Sequence, residues 1–482
     1  MLRHNPKYQP SYLTGIPGIL LVMTILTILS AIAYHNVNDN FFSCDDFVWL
    51  KNAIITVRHP LNILTQDIAG WFRPLGHLTF AINYLLFGVH NPVAYVIVSI
   101  GFHILTSLLV FILTAMLLNN RYFAFWAAAF FAVQHVHWEA VAWSSIVAEV
   151  LAALWFLLTI ICFLQWRERS AYSPRSQIRR HPGRAYYILA HIAMVLSFLS
   201  AESAVTLPAM LLLADLFYAR NVWRHSSLRA ISAHFSLWAL WLIYVAYELW
   251  IQWNGHHLGA GGDYAVNLQF FLTLFRSLLA YIFPKPLLLF MLQSQSLLAA
   301  IFSLWIGLVL LGLLTLLFIK MPTRDYPHAL YAGLWTIITL LPFCGFTRFT
   351  IIDSRQFYLS SVGISILFSL FLKSFSHNIQ WGTLKTRLFK KSVLALGILG
   401  IFTWNILEIW HEDILFEDYA REGEHVLQTL RRSYPDFPEN ARLYFSGLHT
   451  PPQFLADMLF VYYALPPART SYVSSEKIRQ LQ

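Results

Sequence analysis

The sequence predicts an all-α polytopic membrane protein: a bundle of about eleven transmembrane helices, a large loop after the first and a small helical region after the last. Three observations carry this. Only 12% of the 482 residues are charged and 57% are hydrophobic, with a mean hydropathy of +0.56, whereas a soluble chain carries about a quarter charged residues. The 17 Trp, 23 Tyr and 38 Phe suit a chain with many membrane–water interfaces to anchor. The basic residues lie in short loops between apolar runs, so the net charge of +9 reflects topology and not a nucleic-acid partner.

About 20 apolar residues cross a bilayer core as a helix. Runs fall near 16–34, 93–118, 122–137, 145–164, 186–200, 203–219, 231–250, 299–319, 328–345, 357–372 and 392–407. The first follows a basic flank, is long, lacks a small-residue cleavage site and reads as a retained span. With the N-terminus inside, the cytoplasmic segments collect Arg3, Lys7, Arg121, six Arg from Arg167 to Arg184, and "KTRLFKK", as the positive-inside tendency requires. The stretch "NLQFFLTLFRSLLAYIFPKP" (267–286) is short, carries Arg276 in its middle and reads as an interfacial or re-entrant helix. Residues 1–407 then form the transmembrane domain, with residues 35–92 as its first outer loop. Residues 408–482 form an outer cap able to bury only a small core. Within the first loop, "RPLGHLTFAINYLLFG" has helical spacing. Cys44, Cys162 and Cys344 make no disulfide framework.

Ionisable groups at span ends are expensive and point to function. On this topology they gather on the outer side. Asp45 and Asp46 follow span one, His135, His137 and Glu139 end span three, Glu149 begins span four, Glu202 lies between spans five and six, and Arg348, Asp353 and Arg355 precede span ten. Each has a plainer reading. The Asp pair could be a solvated loop or a cap for "FVWLKNAII". His135 and His137 do not share a helix face, which argues against zinc unless the helix has ended. Glu202 could cap the next helix, and Asp215 and Glu248 receive no role. Arg355 calls for an anionic partner, and phosphate matches its fork. A carboxylate, an Arg and an outer membrane cavity together suit sugar transfer from a polyprenyl-phosphate donor. The Asp takes the acceptor proton, while Arg, His or a divalent metal steadies the departing phosphate. A transporter fits less well, because the span interiors lack charged or Gly/Pro-broken pairs.

Five motifs occur in order: "FSCDDFVWLKN", "FRPLGHLTFAINYLLFGVHNPVAYVIVSIGFH", "QHVHWEAVAW", "SAESAVTLPAMLLLAD" and "SRQFYLSSVG". Over roughly residues 15–420 the chain resembles the GT-C superfamily of polytopic glycosyltransferases. Within it, the chain looks most like bacterial relatives of the transmembrane-and-tetratricopeptide O-mannosyltransferases, without their tetratricopeptide array. The resemblance implies a GT-C-like bundle and inverting transfer of a sugar from a polyprenyl-phosphate donor to a hydroxyl of a protein, lipid or glycan acceptor. It places Asp45 and Asp46 as catalytic residues, Arg355, His137 and Arg73 on the donor phosphate, and Glu139, Glu149 and Glu202 in support. A divalent cation (Mg or Mn), where used, falls to Asp46, His137 and Glu139. The implied setting is a bacterial inner membrane, with membrane lipids around the spans, the N-terminus cytoplasmic, and the site and C-terminus periplasmic. The chain departs from the family pattern at Gln134-His135, Ile146-Val147, Ala201 and Ser360. Two basic residues expected near the phosphate are thereby missing, which keeps a second expectation open: an inactive scaffold or assembly subunit that binds a partner through its outer face.

Overall fold

The computed structural model describes residues 16–64, 71–171, 183–218, 227–254, 264–283, 321–346, 353–379, 384–434, 436–438, 442–445, 452–464 and 470–472. The apolar run at 299–319 and Arg348 lie outside them. The chain is a multi-pass membrane protein. Five described helices are long and apolar enough to cross a membrane, in Pro92–Leu118, Ser144–Ser170, His234–Asn254, Thr323–Cys344 and Leu384–Ser433.

The helices in chain order are α1 (Ile16–Ala33), α2 (Asp45–Arg58), α3 (Pro74–Phe87), α4 (Pro92–Leu118), α5 (Arg121–Ala132), the single turn α6 (Trp138–Ala142), α7 (Val147–Ala171), α8 (Arg184–Phe198) and α9 (Leu207–Tyr218). They continue with α10 (Ser227–Asn254), α11 (Leu268–Leu279), α12 (Tyr326–Cys344), α13 (Ser361–Ile379), α14 (Leu384–Ser433) and α15 (Pro452–Tyr463). The only described strands, β1 (Leu443–Phe445) and β2 (Thr470–Tyr472), pair in parallel near the C-terminus, a small exception to the expected all-α class.

Helix α7 forms the axis. Val150, Ala153, Phe156, Leu157, Ile160 and Phe163 are all fully buried in the main apolar core, against α4, α8 and α9. Such all-round burial requires an all-round apolar sequence. Around it, α5 packs on α4 and α13, and α13 packs on α12. Helix α11 has 12 residues, about 18 Å at 1.5 Å per residue, and cannot cross a core of about 30 Å. Asn267 caps it by accepting the Gln269 N–H at 2.9 Å, and Phe270 and Leu279 rest with Phe343 in one small core.

The expected division at 407/408 falls inside an element. Helix α14 runs unbroken for 50 residues, about 75 Å, more than twice the bilayer core. The rise in polarity after residue 407 therefore marks where the helix leaves apolar surroundings, not where it stops; no Pro interrupts it. Its later half buries Ile409, Asp413, Ala420 and Leu427, spaced along one face. Downstream, α15 docks on α2, tying the C-terminal region to the first loop. The helix expected over "RPLGHLTFAINYLLFG" is α3. It lies close against its neighbours because Gly76 has no Cβ: one added there would stand 3.0 Å from the Trp49 ring and 3.1 Å from Ala148 Cβ.

Candidate active site

The two aspartates open α2, and consecutive helical residues point about 100° apart, so one can face inward and the other outward. The backbone before them is unusual: Cys44 sits at φ 44°, a region few non-glycine residues occupy. Asp46 is 2% exposed, and both of its oxygens are used. Oδ2 accepts the Ser43 N–H at 3.0 Å and Oδ1 accepts the Ser145 N–H at 2.8 Å. It thus holds the turn before α2 against the turn before α7. Burial pushes its carboxyl up to about 7, against the opposing pull of these N–H bonds. Asp45 remains 38% exposed, with Oδ2 3.8 Å from Arg355 Nη1. Burial raises its carboxyl too, while Arg355 and then Arg73 pull it down.

Arg355 is carried by a short 3₁₀ turn, Ser354–Phe357, closed by a capping box between Asp353 and Gln356. Two bonds tie this turn to the "QHVHWE" segment: Ser354 Oγ donates to the Val136 carbonyl at 2.7 Å, and Arg355 N–H donates to Glu139 Oε2 at 3.1 Å. The guanidinium lies 3.4 Å from Asp353 Oδ2 and 5.9 Å from the centre of a Trp143 ring.

Arg73 stands just before Pro74, where α3 begins. Its fork engages Glu202, with Nε 2.8 Å from Oε2 and Nη2 2.5 Å from Oε1, and Glu149 Oε1 lies 3.9 Å away. Burial alone would lower its pKa, but Glu202 and then Glu149 hold it above its ordinary value. Glu202 is therefore an ion-pair partner, not the cap its position allowed.

A cavity of about 410 Å³ joins these groups. Asp45, Arg73, Glu149, Glu202 and Arg355 supply charge, together with Asp457 of α15, and Trp49, Trp71, Phe343, Phe346 and Phe454 supply aromatic walls. Five of the sequence-assigned residues thus meet in one place. Three do not line it. Asp46 is the clamp just described, and Glu139 supports Arg355 from behind. His137 is fully buried, with Nδ1 3.0 Å from Ser361 Oγ and its ring edge-on to His103 and Tyr358. The assignment of His137 to a phosphate is corrected here, because its ring is enclosed by protein.

The same geometry tests the expected cation. Each Asp46 oxygen accepts one backbone N–H, His137 Nδ1 lies against Ser361 Oγ, and Glu139 accepts the Arg355 N–H, so all three side chains are engaged within the fold. Among the described residues no group of three or more His, Cys, Asp or Glu is placed to hold a metal ion. The donor set does not fit a resident metal. Asp457, Phe454 and Gln356 were missed by sequence reasoning. The aspartate lies 406 residues from its partner Lys51, and nothing local marks it.

Comparisons with known proteins agree with the family expected from the motifs. No family model matches. The chain is similar to human protein O-mannosyl-transferase TMTC2 (28% identical over 189 residues, 39% of this chain and 21% of that protein). It is also similar to human TMTC1 (32% over 207 residues, 40% and 23%) and to Drosophila melanogaster Tmtc1 (32% over 147 residues, 28% and 17%). The matches span about a fifth of the length of these curated relatives. Among solved structures, ArnT from Cupriavidus metallidurans bound to undecaprenyl phosphate aligns with a TM-score of 0.49 and 14% identity, over 97% of this chain and 91% of that one.

Proposed function

We propose that the chain is an inverting glycosyltransferase that moves a sugar from a polyprenyl-phosphate donor to a hydroxyl acceptor. The observation that carries this is the pairing of Asp45 with Arg355 at 3.8 Å, both partly exposed to a cavity at the ends of the spans. The sequence similarity to protein O-mannosyl-transferases supports it. Asp45 accepts the proton of the acceptor hydroxyl as its oxygen bonds to the anomeric carbon. The bond from that carbon to the phosphate oxygen breaks on the opposite face, and its electron pair leaves with the lipid phosphate. Arg355 meets the growing charge. Asp46 and Glu139 act indirectly, by fixing the turns that carry the two reacting groups. Arg73 is occupied by Glu202 and Glu149, so it shapes the inner wall more than it binds phosphate. No step is routed through a metal. The proposed setting is the periplasmic side of a bacterial inner membrane, with the N-terminus cytoplasmic.

One observation favours a second reading, a non-catalytic relative that binds a partner. Four carboxylates (Asp45, Glu149, Glu202, Asp457) line the cavity against two guanidiniums, and an acidic excess weakens the hold on a phosphate. The deciding experiment offers a labelled polyprenyl-phosphate sugar to solubilised protein and compares wild type with Asp45→Asn. Transfer by wild type that vanishes in a folded Asp45→Asn supports the enzyme. No transfer and no lipid-phosphate retention by native mass spectrometry would favour the scaffold.

A further inference from the structure

The cavity has two walls of different origin. One comes from the spans: Phe343 near the end of α12, Phe346 just after it, and Arg355 beyond. The other comes from α2 and the C-terminal helix α15, whose Phe454 and Asp457, one turn apart, both face inward.

Helix α15 is held firmly in this place. Leu455 and Met458 are buried in one core with α2 residues, and Asp457 pairs with Lys51 of α2 at 2.5 Å. Tyr462 donates to the Val89 carbonyl at 2.9 Å and stacks on Phe41, the rings 17° from parallel.

A lipid-linked donor keeps its tail among the spans, so its sugar reaches Asp45 from the first wall. The acceptor must then come from the second. We infer that α15 builds the acceptor subsite and that the acceptor is a saccharide, an inference that rests on the glycosyltransferase reading above. A pyranose offers an apolar C–H face to a flat ring and a rim of hydroxyls to carboxylate and amide groups. Phe454 and, one turn on, Asp457 present that combination on the second wall, and Gln356 of the Arg355 turn adds an amide from the first. The volume of about 410 Å³ sits near the lower end of ligand sites, which run from about 300 to 1,000 Å³. It suits one compact ring beside a donor sugar. An extended peptide would instead call for a strand edge or a long groove with backbone partners, whereas the polar groups named on this wall are side chains.

The test uses the full-length solubilised protein with saturating labelled donor, and offers oligosaccharides or Ser/Thr peptides as acceptors. Phe454→Leu keeps apolar volume but loses the flat face, and Asp457→Asn keeps the contact to Lys51 but loses the charge. Oligosaccharides should be glycosylated, and each variant should raise the acceptor KM about tenfold, while the uncharged change Phe454→Leu leaves donor KM unchanged. Unfolding midpoints within about 2 °C of wild type in both variants are the check that α15 stays docked. Modification of peptides alone, or an acceptor KM that stays within about twofold of wild type, overturns the inference while leaving the glycosyltransferase reading intact. No sugar release to any acceptor, water included, overturns both.

Discussion

Two ionic clusters sit at opposite ends of α7 and differ in what surrounds them. Glu149 belongs to the cavity cluster and Arg167 to the other. Their 18-residue separation amounts to about 27 Å of helix, close to the thickness of a bilayer core. In the second cluster Asp215 is fully buried and bound to Arg167 and to His234 Nε2 (3.0 Å). The Arg167 guanidinium lies 5.2 Å from the Phe163 ring and 4.7 Å from that of Trp166. In the first cluster Asp45 and Arg355 stay 38% and 27% exposed to a cavity. Asp215 and Asp45 both sit in family-like motifs, so charge alone does not single out the site. Access does: a closed cluster ties α7, α9 and α10 together, and an open one can exchange its partner for a ligand.

The sharpest way to break that contrast is to remove one charge from each cluster. Asp45→Asn should lower transfer by about 10²- to 10⁴-fold, the usual contribution of a general base, with a stability change within about 0.5 kcal/mol because the carboxyl is partly exposed. Arg167→Met should do the reverse. It leaves Asp215 with only His234 in an apolar interior, at a cost of about 3–5 kcal/mol, while sparing the chemistry of whatever protein stays folded. Labelled-donor assays beside thermal unfolding read both. A large loss of stability in Asp45→Asn, or none in Arg167→Met, would erase the distinction.

Asp46 sharpens the contrast within a single dipeptide. Its carboxyl is raised from 3.8 to about 7 by burial, so the folded state favours the protonated form. The sign follows: its stabilising contribution is fully present below pH about 4 and is lost as pH rises towards about 7. Asp46→Asn removes that titration. Unfolding midpoints of wild type should therefore fall relative to the variant between about pH 4 and 7. Equal slopes for the two proteins would mean that Asp46 is not the buried group described. Transfer should fall in Asp46→Asn as well, since an amide cannot accept from both Ser43 and Ser145.

How much of this could be read from the sequence follows from the range of each interaction. Hydropathy marks a multi-pass chain because the bilayer acts on every residue alike, and five of the described helices are long and apolar enough to cross. It marks the change of polarity at residue 408 but not that a single helix, α14, runs through it. The motif singles out Asp45 and Asp46 together but not their separate roles. Those depend on a positive φ at Cys44 and on Ser145, 99 residues from Asp46. His137 looks like a ligand in "QHVHWE", yet Phe131, His103 and Tyr358 surround it, and only packing reveals that. Asp457 lacks any local mark.

Gly363, at the end of the last motif, carries the smallest of the expected effects. A Cβ there would come within 2.3 Å of Thr336 Oγ1 and 2.5 Å of the Ala332 carbonyl, distances no real Cβ tolerates against a backbone oxygen. Helix α13 would have to move off α12, straining the Trp335 Nε1–H bond to the Leu359 carbonyl at 2.9 Å. Gly363→Ala should therefore cost about 1–3 kcal/mol, as overpacking does. The strain should fall unevenly. The Arg355 turn lies a few residues before Gly363, so donor KM should rise, whereas the Asp215 cluster, built on α7, α9 and α10, should be spared. Hydrogen exchange would separate the two ends: faster exchange confined to residues around 354–363 fits two independently held clusters, and faster exchange around Asp215 as well would mean that one packing network governs both.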